Sequence, residues 1–241
     1  MKLPFKILSL SIVVILFTTE INAQGIDFSE QRNIYPFLYN NTVDELSHTG
    51  DEKQQTFEKA VAEASGSSYY DEEFRKATIS GSDYIFNVRY NAFLDEMEIT
   101  HENEIVYLNK KYDNRLITLA ETNMTYKVLR EQDENKKITS GYFIALQTNE
   151  SVALYRKDRK KYVRSTRPLS KEKAKFQNAR RYFYVEINNS GMAIKLPNNK
   201  KELAALFPDK EAEILTFIKQ ERLKLRKEED LKMLVTYINS I

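Results

Sequence analysis

Between positions 69 and 196 the chain alternates apolar and polar residues in short runs, and a period of two predicts strands. The stretch 84–99, YIFNVRYNAFLDEMEI, shows it most clearly. Tyr84, Phe86, Val88 and Tyr90 fall on one parity and Asn87, Arg89 and Asn91 on the other, so the first set is expected in the core. Residues 94–99 either continue that strand past a bulge or return as its partner. Within them Glu96 and Glu98 share one face opposite Met97 and Ile99, which predicts acids in water over a buried apolar side.

Further strands are expected at 76–80, 105–108, 115–120, 125–130, 140–146, 152–156, 161–165, 182–187 and 193–196. Each is aromatic or β-branched and ends at a polar cluster, such as 133–137, 148–150, 158–160 or 188–191. Short polar connections favour hairpins, hence an antiparallel meander. That many strands curl into an open sheet, a partial barrel or a sandwich. One interruption, 167–179, contains Pro168 and a Lys-rich tract with Ala174, Phe176 and Ala179. It predicts a short amphipathic helix or a long loop.

Helical spacing appears at both ends. Thr42 and Glu45 have capping-box spacing and start a short helix; Asp51 is a second cap candidate, after which Phe57, Ala60, Val61 and Ala64 recur at helical intervals in a helix that should end at the Gly and Ser residues of 65–68. Near the C-terminus Leu203, Leu206 and Phe207 predict a helix closed by Pro208. Ala212, Ile214, Leu215 and Ile218 predict a second over 209–222, and Leu231, Leu234, Val235 and Ile238 a third starting near Glu228. Acidic residues gather in the first turns of the latter two, opposite the positive end of the helix dipole. The fold class expected is α+β: a curved antiparallel β-meander with a short N-terminal helix and a C-terminal cluster of two or three helices. The organisation reads as a signal peptide over 1–23, an arm and helix over 24–68, a β domain over 69–197, and a helical segment over 198–241 packed on it.

The address precedes the fold. Lys2 and Lys6 flank the start of an apolar run at 7–17 that is too short to span a bilayer, and Ala23 suits cleavage before Gln24. An exported chain, soluble after cleavage, is expected. With no cysteine in 241 residues, a bacterial periplasm or cell surface fits better than a eukaryotic secretory route.

Charge changes the picture more than composition does. Residues 24–104 hold 6 Lys and Arg against 17 Asp and Glu, a net of −11, whereas 156–181 hold 12 against 2, a net of +10. Two oppositely charged surfaces of one domain would account for this, and so would a basic patch for an anionic partner. The candidate binding residues are Tyr155, Lys157, Arg159, Lys160, Lys161, Tyr162, Arg164, Lys173, Lys175, Arg180, Arg181 and Tyr182, cations interleaved with rings. Export argues against nucleic acid and for an anionic glycan, lipid headgroup or protein surface of the envelope.

Catalytic patterns are sparse. The two histidines, His48 and His101, stand in polar contexts, and without cysteine they make no zinc spacing. No G-x-S-x-G elbow and no phosphate-cradling glycine pattern occurs, and no cofactor is implied. The paired carboxylates Glu96 and Glu98 are the one enzymatic arrangement left, in the manner of a glycoside hydrolase.

The segment 90–98, the Gly141-Tyr-Phe strand, the Leu154-Tyr155 strand and a tail with Ile218-Lys219, Glu228-Glu-Asp-Leu231 and Tyr237-Ile-Asn239 together resemble a group of uncharacterised exported proteins of Bacteroidetes-type bacteria. The resemblance covers 69–239 and implies an envelope location, with no catalytic residues to carry over. The expected function is a non-catalytic envelope protein binding a partner or an anionic component. The alternatives are a carrier enclosing an apolar ligand in its curved sheet, and a hydrolase using Glu96 and Glu98.

Overall fold

The structure, a computed structural model, describes residues 38–39, 64–101, 104–111, 114–133, 135–148, 150–164 and 173–241. The expected signal peptide, arm and N-terminal helix lie outside the described residues, apart from the two-residue strand β1 (Leu38–Tyr39) and residues 64–68 at the expected end of the helix.

The opening stretch forms a hairpin. Strand β3 (Ile85–Asn91) turns through 92–95 and returns as β4 (Glu96–His101), with Asn91 opposite Glu96 and Val88 opposite Ile99. Asp95 closes the turn in the left-handed region at φ 62°, a conformation that Asp tolerates better than most residues. Phe86 and Val88 are buried as their parity predicts. Strands β2 (Arg75–Ile79) and β5 (Glu104–Leu108) flank the hairpin, and β1 lies against β5. The chain then crosses over, so that β6 (Leu116–Leu119) pairs with β2 on the far side of this curled sheet.

β6 leads into the second half of the fold. Strands β7 (Thr125–Gln132), β8 (Ile138–Gln147), β9 (Val152–Lys157), β12 (Tyr182–Ile187) and β13 (Met192–Lys195) follow one another as antiparallel neighbours. β13 then meets β7 again, through Met192 opposite Arg130 and Ala193 opposite Glu131. A ring of five alternating strands must close on two that run the same way, and β13 with β7 is parallel. The meander expectation is corrected at this point: closure imposes one parallel pair. β7 serves both halves because one of its edges is divided, with residues 125–127 against β6 and 130–131 against β13.

The excursion between β9 and β12 also differs from expectation. β10 (Lys160–Val163) pairs with β11 (Lys175–Asn178) as a separate two-stranded sheet. Residues 175–178 are therefore strand where a helix or loop was expected. Phe176 is buried under Phe93 and Tyr162, and Ser65 exchanges backbone hydrogen bonds with Ala174 and Phe176.

Three clusters hold these layers together. The curled sheet folds its apolar face over the outer side of β7 and β8, joining Val88, Met97, Ile99 and Ile117 to Tyr126, Val128, Tyr142 and Ile144. The barrel interior is filled by Leu129, Phe143, Ala153, Tyr155, Tyr184 and Ala193. The outer side of β9 and β12, with Leu154, Phe183 and Val185, is covered by helices α1 (Lys200–Ala204), α2 (Glu211–Gln220) and α3 (Glu228–Ser240) through Leu203, Ile214, Ile218, Leu231, Leu234 and Val235. These helices fall where their periodicity placed them. Asn199 caps α1 through its side chain, and a 3₁₀ turn begins at Pro208.

Candidate functional site

Both ends of the barrel interior carry a buried lysine beside a carboxylate. Along β7 the inward positions are Lys127, Leu129 and Glu131; along β9 they are Ala153, Tyr155 and Lys157; along β12 they are Tyr182, Tyr184 and Glu186. The central layer is aromatic and dry, with Phe143 and Tyr184 in edge contact at 4.9 Å. The charges are left to the two rims.

One rim is sealed. Lys157 meets Glu131 and, at 3.0 Å, the Asp95 carboxylate. Asp95 comes from the β3–β4 turn and also faces Arg159 at 3.1 Å, the Tyr90 hydroxyl at 2.8 Å and the Tyr142 N–H. Arg159 donates to the Ala92 and Phe93 carbonyls as well, and Lys110 to the Asp95 carbonyl, so the turn is held on all sides. Burial alone would raise the Asp95 carboxyl, but the facing charges of Lys157, Arg159 and Lys110 hold it below its ordinary value. Burial and the Asp95 charge push the Tyr90 hydroxyl well up, which keeps it a donor. Gly141 makes the arrangement possible. A Cβ there would lie 2.5 Å from Lys157 Nζ and 2.7 Å from Asp95 Oδ2.

The other rim is open. Lys127 donates to Glu186 at 2.8 Å and to the Asn189 side-chain oxygen at 2.7 Å, while the Tyr155 hydroxyl donates to the same Glu186 oxygen at 2.8 Å. The other Glu186 oxygen accepts the Gly191 N–H at 2.9 Å. Burial and the bond to Glu186 raise the Tyr155 hydroxyl, so it too stays protonated. Above this floor is a cavity of about 700 Å³, edged by Asn114, Asn123, Thr118, Thr125 and Gln147. Asn114, Asn123 and Asn189 all adopt positive φ, so turn chemistry at one end of the barrel sets the amides around the mouth.

The two acids of the opening hairpin are not in water. Glu98 is 2% exposed and accepts from Arg89, Tyr69 and Asn91. The Arg89 guanidinium lies between the rings of Tyr69 and Phe74, 4.1 and 4.4 Å from their centres. The segment 69–74 thus covers what the alternation marks as a solvent face, and the expectation of solvated acids is corrected for Glu98. Glu96 pairs with Lys110 at 2.7 Å.

The basic aromatic tract divides. Tyr155, Lys157 and Arg159 are drawn inward to the two rims. Lys160 and Tyr162 are half-buried, Lys160 over the Tyr70 ring at 4.5 Å. Lys161, Arg164, Lys173 and Lys175 remain exposed on and beside the β10–β11 hairpin. Arg180 and Arg181 follow directly. Arg180 lies over the Tyr182 ring and Lys195 covers that ring at 3.7 Å, while Arg181 pairs with Asp158 at 2.8 Å. Arg180, Arg181 and Tyr182 share a cleft of about 330 Å³ with Arg226 and Asn198.

Sequence reasoning missed Lys127, Glu131 and Glu186, although a signal exists. β7 carries Val128 on one parity and Leu129 on the other, and β12 carries Val185 and Tyr184 in the same way. A strand apolar on both faces is buried on both, so a lone charge within it is a buried charge.

No family model matches the chain, and neither a curated protein nor a solved structure matches it. Among the described residues no cluster of His, Cys, Asp and Glu could hold a metal ion, and no helix is long and apolar enough to cross a membrane.

Proposed function

We propose that this is a non-catalytic exported protein of a bacterial envelope, periplasmic or at the cell surface, that binds an anionic envelope component through the face made by the β10–β11 hairpin and residues 180–182. One observation carries the reading. Once Lys157 and Arg159 are consumed by internal pairing, Lys161, Lys173, Lys175 and Arg180 still point outward, and no carboxylate among the described residues pairs with them. Exposed cations gathered on one hairpin raise the local concentration of anions and exert their pull over about one Debye length, roughly 8 Å at physiological salt. Tyr162 and Tyr182 add ring surface beside them. The apolar run and Ala23 at the N-terminus support the location.

The test replaces Lys161, Lys173, Lys175 and Arg180 together by Gln and measures retention on anionic lipid vesicles and on an immobilised acidic polysaccharide across a salt series. Retention of the wild type should fall steeply with salt, and the variant should bind several-fold more weakly with a flatter slope. Equal retention of the two proteins would remove the reading. Lys157 and Arg159 are left intact because their replacement would disturb the sealed rim.

A further inference from the structure

We propose that the open rim of the barrel is a second binding site, for a neutral polyhydroxylated ligand such as the end of a glycan chain. The argument begins with side-chain size. On β8 the inward residues run Gly141, Phe143, Ala145, and on β9 Lys157, Tyr155, Ala153, so each strand places a ring centrally, and toward the open rim both end on alanine. At the sealed rim the space left by Gly141 is taken by the Lys157 ammonium and the Asp95 carboxylate. At the open rim the space above Ala145 and Ala153 is the cavity of about 700 Å³. A cavity of this size lies within the range of small-molecule sites, and the small side chains of Ala145 and Ala153 leave its inner end open.

The floor is also unlike a filler. Glu186 is 1% exposed and Lys127 6%, and burying such a pair costs more desolvation than an apolar pair of similar volume. At the sealed rim the equivalent pair has a use, since it receives Asp95 from the neighbouring sheet. Lys127 has only Glu186 and Asn189 as acceptors among the described residues. An ammonium carries three N–H donors, so one is available to an acceptor entering the cavity.

Charge and donor chemistry narrow the ligand. Lys127 and Glu186 neutralise one another, and the rim adds the amides of Asn114, Asn123 and Gln147 with the hydroxyls of Thr118 and Thr125. The amides and hydroxyls both donate and accept, as sugar hydroxyls do, and none selects for net charge; Thr118 and Thr125 also bond one another at 3.0 Å, and Gln147 donates to Thr236. Glu150, also on the rim, disfavours anions. The site is therefore distinct in chemistry and in position from the basic hairpin face.

The experiment records amide NMR spectra of the protein, residues 24–241, during titration with neutral oligosaccharides, among them maltose and chitobiose, with glucuronate as the acidic control. Neutral ligands should shift the resonances of Asn114, Lys127 and Asn189, with affinity insensitive to salt. Ala153→Leu, which puts a larger side chain on the inner wall of the cavity, should weaken binding about tenfold or more. Asn189→Gly, which keeps the turn and removes the amide, should weaken it less, and this second variant stands should the first not fold. The inference is overturned by the absence of shifts at the rim with every neutral ligand, by preferential binding of glucuronate, or by unchanged affinity in the folded variants. Because neutralising the hairpin lysines should leave this binding intact, its failure is separable from failure of the basic-face reading.

Discussion

At the scale of single residues, Gly141 shows how a missing side chain can be a structural component. Its backbone needs no unusual φ, so flexibility does not explain it. What it provides is room for two opposite charges, Lys157 Nζ and Asp95 Oδ2, in the volume where its own Cβ would stand. Replacement by Ala forces a short carboxylate and a doubly paired ammonium to move. Gly141→Ala should therefore lower stability by about 1–3 kcal/mol, the usual cost of overpacking, measured by denaturant unfolding. A loss no larger than that of an exposed-site control would refute this account. In the β3–β4 hairpin, Glu98 stands on a polar parity that invites a solvated or catalytic role. Its four hydrogen bonds to Arg89, Tyr69 and Asn91 instead occupy the carboxylate inside the protein.

At the scale of elements, the C-terminal helices and most strands were legible because each carries its own period. Leu231, Leu234, Val235 and Ile238 mark one face of α3, and all four are buried on the outside of the barrel. Leu234→Ala should cost about 2–5 kcal/mol and speed protease cleavage of the C-terminal segment. A change below about 1 kcal/mol would mean that the helix layer is not part of the cooperative core. β11 was not legible, because Lys175, Phe176, Gln177 and Asn178 contain a single apolar residue. Four residues cannot distinguish a period of two from one of 3.6, and β10 supplies the pairing that decides it. The candidate tract fared the same way. Its composition was visible, but which of its cations would turn inward depended on strand parity at β9 and on where the β3–β4 turn lands.

At the scale of the whole molecule, Asp95 is a charged fastening between the curled sheet and the barrel, added to the apolar cluster and the β6–β7 pairing that join them. Its carboxyl is held below its ordinary value in the folded protein, so its contribution to stability is present above the unfolded value of about 3.9 and is lost as pH falls through the folded one. Asp95→Asn should be less stable than wild type at pH 7, by about 3 kcal/mol for a broken buried pair. The gap in melting temperature should narrow below about pH 4. A gap that stays constant to the lowest pH at which both proteins fold would show that the charge of Asp95 is not what fastens the halves.

What the sequence determined by itself was local: the strand and helix periods and the turns at Asn and Gly. These follow from patterns shorter than about 15 residues. Only the tertiary structure decided that five strands close into a ring with one parallel pair, that 69–74 covers Glu98, and that the tract splits between an internal rim and an external hairpin. It also decided that the pairs Lys127–Glu186 and Lys157–Glu131, drawn from β7, β9 and β12, occupy opposite ends of one barrel. The physical reason is that a charge's role depends on what covers it. Parity assigns a side chain to a face of its strand, but whether that face meets water, a ring or another charge is settled by residues distant in the chain.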